Sequence, residues 1–102
     1  MTTFVYYFIP EDNEKEDKMN IFIIYKNYKD IRLKDIKNNF PLAGEYYFRF
    51  KFDFIDKNVW IDFNNPNGVL PQYDGKIIMK VTRLSLDNKN EQKQITPESL
   101  FM

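Results

Sequence analysis

Asp53, Asp56 and Asp62 are the carboxylates whose spacing could serve acid-base chemistry, in which one group keeps its proton near neutral pH while another stays charged. Such a division of roles needs an apolar pocket around one of them. All three fall instead on polar faces and turns of strand-like sequence, where carboxylates ordinarily solvate a surface. The chain contains no histidine and no cysteine. That removes the usual general base, the usual imidazole and thiolate metal ligands, and any disulfide framework. Gly44, Gly68 and Gly75 stand singly in turn contexts and form no phosphate-cradling loop. Asn64, Asn65 and Asn67 lack the spacing and terminal glutamate of a calcium loop. The residues therefore predict no catalytic constellation, no cofactor and no metal site, and so a protein that is not an enzyme.

Recognition is the chemistry that remains. Tyr47, Arg49 and Lys51 alternate along one strand face, an aromatic and basic arrangement known from single-strand nucleic-acid binders. Against it, the 15 basic and 15 acidic residues cancel, and the strand lacks the ribonucleoprotein pattern. No nucleic-acid partner is expected. The longest apolar run, residues 4–9, is far below the roughly 20 residues of a membrane span. The start of the chain has no basic segment of the secretory type. The expected setting is soluble and cytoplasmic, with no direct membrane insertion.

The elements that must present these residues are read from periodicity. Residues 46–54 alternate strictly, with Tyr46, Phe48, Phe50, Phe52 and Phe54 on one face and Tyr47, Arg49, Lys51 and Asp53 on the other. The five aromatics are assigned to the core. A turn at 55–58 leads to a short strand, 59–63, in which Val59, Ile61 and Phe63 share the core and Trp60 is thrown outward. An outward tryptophan calls for a partner, which is either another chain or the tail residues Leu100 and Phe101. Residues 3–9 and 20–25 read as a β-hairpin across a charged loop. Leu33, Ile36 and Phe40 lie on one helical face within 31–40, with Asp30 as a possible cap, and should meet the first and third strands. Asn64, Asn65, Asn67 and Gly68 supply loop chemistry that tolerates positive φ. Leu70 and Pro71 form an apolar plug, Tyr73, Asp74 and Gly75 a turn, and 76–84 the fifth strand.

At 102 residues, 43% of them apolar and 18% aromatic, the chain has material for one core despite a mean hydropathy of -0.58. The folded domain is expected over 1–85. Residues 86–102 read as a polar linker or C-terminal extension, with a short helix at 97–102 that Thr96 would cap and Pro97 would open. The order β-β-α-β-β-β gives the α+β class and the arrangement of a ubiquitin-like roll, a mixed sheet with one short helix across it.

Several segments, in order, resemble the DIX domains of Dishevelled and Axin and of the plant SOSEKI proteins. Phe4-Val5-Tyr6-Tyr7-Phe8 resembles the family's opening Val-x-Tyr-Tyr-Leu strand. Leu33-Lys34-Asp35-Ile36-Lys37 resembles its Leu-x-Asp-Phe-Lys helix, and Tyr46-Tyr47-Phe48-Arg49-Phe50-Lys51 its third strand. Leu70-Pro71-Gln72-Tyr73-Asp74-Gly75-Lys76-Ile77-Ile78 is similar to its closing Leu-Pro-x-Phe-x-Gly-Lys/Arg segment. Val59-Trp60 is closer to the plant branch than to the Dishevelled type.

The resemblance implies head-to-tail self-association, in which the second strand of one copy pairs with the fourth strand of the next. The implied contacts are Asn20, Ile21, Phe22, Ile23 and Ile24 on one edge and Val59, Trp60, Ile61 and Asp62 on the other. Asn20 stands about where Dishevelled-type domains carry an interface tyrosine, and Phe22 and Ile24 would replace its apolar area. The implied contact is individually weak, in the micromolar range or about 8 kcal/mol. The implied partners are further copies and other DIX-like domains, and the implied role is to concentrate a signalling or polarity scaffold into puncta or at the cell cortex. The alternative reading is a monomeric ubiquitin-like adaptor that binds a different protein through its sheet.

Overall fold

The computed structural model describes residues 1–85. The alternating aromatic and β-branched stretches form β1 (Thr3–Phe8), β2 (Asn20–Ile24), β3 (Glu45–Phe54), β4 (Lys57–Asp62) and β5 (Ile77–Ser85). One helix, α1 (Leu33–Asn39), lies between β2 and β3. The class and element order are those expected from the sequence, a mixed five-stranded sheet of the ubiquitin-like roll type. The stretch 86–102, with its expected helix, lies outside the described residues.

The strands run across the sheet in the order β2-β1-β5-β3-β4. β1 pairs antiparallel with β2 and parallel with β5, and β3 lies antiparallel between β5 and β4. A parallel pair at the centre of a sheet normally has both faces covered. On the inner face the cover is α1, whose Leu33 and Ile36 are buried against the strands. Phe40, just past the helix, meets Tyr7, Phe22, Tyr46 and Phe48 edge to face, with ring centroids 4.9 to 5.9 Å apart. Each such pair contributes about 0.5–1.5 kcal/mol beyond its buried area. The Leu33, Ile36 and Phe40 stripe thus meets β1 and β3 as expected, and Phe22 adds β2.

Asp30 does not cap the helix. It belongs to a preceding 3-10 turn, and Ile31, fully buried with extended backbone, delays the helix by two residues. Arg32 takes the cap position and donates its backbone N–H to the Asp35 carboxylate at 2.9 Å. Lys26 Nζ donates to the same carboxylate at 3.0 Å. The backbone bond from Arg32 is the chief reason the Asp35 carboxyl titrates below its ordinary range, outweighing its partial burial.

Two expectations about the β3–β4 hairpin are corrected. Phe54 is not in the core but 55% exposed, and Phe52 is half-buried. The cause is that pairing with β5 ends at Phe50 opposite Met79, so the rest of β3 pairs only with β4 and overhangs the sheet. The turn is also shorter than expected. Phe54 pairs with Lys57 across only Ile55 and Asp56, so Lys57 and Asn58 join β4 and Phe63 falls outside it. Positive φ at both turn residues produces the tight reversal.

Residues 64–68 contain no positive φ. Gly68 is needed for space, because a Cβ there would lie 2.7 Å from Phe63 Cζ. Leu70 is buried as the expected plug.

Candidate interaction edges

β2 and β4 are the two margins of the sheet, each paired along one side only. The sequence-predicted interface residues therefore lie on two separate edges.

On β2 the pleat divides them. Phe22 and Ile24 turn inward and are buried, which corrects the expectation that they replace a missing interface tyrosine. The phase is set by register, since Phe22 sits opposite Val5, a fully buried core residue. Ile21 and Ile23 turn outward and are 53% and 40% exposed. They lie opposite Tyr6 and Phe4, and Phe4 is itself half exposed. Phe4, Ile21 and Ile23 thus form an apolar patch on the outer face at this margin. Sequence reasoning missed it because residues 21–24 are all apolar, so their alternation cannot be phased without a partner strand.

Asn20 is half-buried and already engaged. Its Nδ2 donates to Glu14 Oε1 at 2.7 Å, and the same oxygen accepts the Ile9 backbone N–H at 3.0 Å. Glu14 thereby folds the β1–β2 connection back on the start of β2. Burial, reinforced by this carboxylate, raises the Tyr7 hydroxyl pKa.

On β4, Val59 and Ile61 lie on the core side opposite Phe52 and Phe50, all four at least half-buried. Asp62 is exposed on the outer side and accepts from Arg49 Nε at 3.0 Å. Trp60 is on the outer side as expected, but it does not protrude. Its ring packs edge to face on Phe8, centroids 5.7 Å apart, with the ammonium groups of Lys51 and Lys80 each 5.9 Å from its centre. Lys51 also lies over Tyr73 and pairs with Glu16. The outer face beneath the indole is apolar, since Phe8 and Ile78 are buried there, and the ring lies down on it. Leu100 and Phe101, the alternative cover, are outside the described residues.

Asp53, Asp56 and Asp62 are exposed, and no group of three or more acidic side chains able to hold a metal ion comes together among the described residues. An open cavity of about 370 Å³ lies beside the end of α1, with Phe40, Leu42, Tyr46 and Phe48 in its lining and Lys37 and Glu45 beside them. No helix among the described residues is long and apolar enough to cross a membrane. What the geometry offers is main-chain pairing, with Ile21 and Ile23 beside one open edge and Val59 to Asp62 forming the other.

The family model of the DIX domain matches residues 1–81, which takes in β1 to β4 and the first half of β5. No curated protein matches the sequence. The ordered motifs, the mixed sheet with its single helix and the extent of that match together place the chain in the DIX domain family, a family of protein-protein interaction modules.

Proposed function

We propose that the chain self-associates head to tail by strand addition, the open edge of β2 in one copy pairing antiparallel with the open edge of β4 in the next. DIX domains interact with other DIX domains, and a second copy is the simplest such partner. The observation that carries the reading is the sheet order, which leaves two different strands, β2 and β4, each with one open side on opposite margins. A contact between unlike surfaces leaves one of each free after every addition, so it propagates. If the rotation between copies does not close, the product is an open filament.

Main-chain hydrogen bonds supply the adhesion in this reading, and Ile21, Ile23, Val59, Ile61 and Asp62 supply the neighbouring side-chain surface. Asn20, Phe22, Ile24 and Trp60 contribute backbone, because their side chains are engaged within the copy. About 17 Å of pairing along a five-residue strand makes a small, reversible joint. Many such joints raise the local concentration of whatever the module carries, which suits a cytoplasmic scaffold that gathers into puncta. Residues 1–85 are the assembling module in this account, and other DIX domains with complementary edges would join the same filament.

Sedimentation over a concentration series tests the reading. Average mass should climb with concentration through the micromolar range. A chain that stays monomeric to millimolar concentration overturns it. The exposed Phe4 and its neighbours on the outer face favour one second reading, a monomer that binds a different protein through its sheet. That reading predicts a saturable partner and no growth of mass.

A further inference from the structure

The β3–β4 hairpin ends in a feature that the sheet does not require. Ile55 and Asp56 both have positive φ, 47° and 63°, in a two-residue reversal whose sterics favour Asn-Gly. A β-branched residue is among the least suited to that conformation. Ile55 is 77% exposed and Phe54 55% exposed, so the core does not hold either side chain in place. A strained backbone topped by bare apolar side chains, on a hairpin that overhangs its sheet, is the kind of outlier that a functional contact explains.

Antiparallel addition fixes which ends of the strands meet. The start of β4, and with it the tip, comes beside the end of β2 in the adjoining copy. β2 runs straight into Tyr25, 78% exposed, next to Ile23. Asn27 reaches the Met1 sulfur at 3.0 Å, which brings the exposed Met1 to the same corner. A joint made of one short strand pair has little area and nothing in its backbone to prevent a register slip. A side-chain grip at one end would fix the register.

We propose that the Phe54-Ile55 tip is this grip, a second contact of the head-to-tail joint that seats against the Met1 and Tyr25 corner of a second copy of the chain. The proposal rests on the strand-addition reading above.

Sedimentation and thermal melting of the full chain decide between outcomes. Phe54→Thr with Ile55→Asn should weaken self-association about tenfold, the effect expected on losing an apolar anchor. Its melting temperature should hold or rise, because asparagine tolerates the left-handed backbone. Tyr25→Asp should weaken association similarly. Each variant keeps the half that the other lacks, so an equimolar mixture should form discrete dimers with the affinity of the unaltered joint. Tip variants that assemble like the parent chain overturn this inference and leave strand addition standing. A mixture that gives no dimers overturns the pairing of tip with corner. A parent chain that never associates removes the strand-addition reading, and this inference with it.

Discussion

Phe8 on β1 and Trp60 on β4 touch edge to face across the outer side of the sheet, although β5 and β3 lie between their strands. The indole therefore fastens the β4 margin to the centre of the sheet. It is not an arm held out for a neighbour. β4 presents an edge stiffened from above, with the Lys51 and Lys80 ammonium groups flanking the ring.

Trp60→Ala should therefore lower the stability of the isolated domain by about 1–2 kcal/mol, part from lost burial and part from the aromatic pair. Urea unfolding at a concentration where the chain is monomeric measures this directly. An unchanged midpoint would mean that the Phe8 contact contributes nothing in solution. Phe8→Leu should cost less in the Trp60→Ala background than in the parent chain, since the two residues share one contact.

The pleat of β2 places an exposed and a buried side chain at adjacent positions, Ile21 and Phe22. Ile21→Lys should leave stability within about 0.5 kcal/mol, as exposed substitutions usually do, and on the proposed strand addition it should reduce the rise of average mass with concentration. Phe22→Ala should cost about 3–5 kcal/mol, because it empties a buried site against Tyr7 and Phe40. Equal effects of the two on melting would contradict the β1–β2 register.

Asp35 sets an acid limb of stability. Its folded carboxyl titrates below the ordinary value, chiefly through the Arg32 backbone bond and, against the opposing effect of burial, through Lys26. The folded state thus binds the proton more weakly than the unfolded chain. The stabilisation is fully present above the unfolded value of about 4 and is lost as pH falls through the folded one. Asp35→Ala should cost about 1–2 kcal/mol at neutral pH. It should also flatten the decline in melting temperature below pH of about 4, which a pH series of thermal melts would reveal.

Gly68→Ala should destabilise by about 1–3 kcal/mol, the usual range for overpacking, because its methyl group would meet the Phe63 ring. Phe63→Leu in the same chain should return part of the loss by opening that space. Differential scanning calorimetry of the single and double variants checks the pair.

Local pattern alone determined the element order and much of the core. Period-two alternation through 46–50 needs no partner to reveal Phe48 and Phe50 as buried, and the Leu33, Ile36 and Phe40 spacing identifies the helix face that meets them. The ordered motifs also carried the family. Three features waited on tertiary structure, each for a physical reason. Strand order is a matter of long-range pairing, and only pairing leaves β2 and β4 on the margins. The phase of the all-apolar β2 depends on its register with β1, which sends Phe22 inward and Ile21 outward. Trp60 and Phe54 obey the alternation, yet its consequence differs at each. The sheet's apolar outer face lies beneath the indole and half-buries it, while β5 ends its pairing at Phe50 and leaves Phe54 bare. Alternation assigns a side chain to a face, and the neighbouring strands decide whether that face is covered.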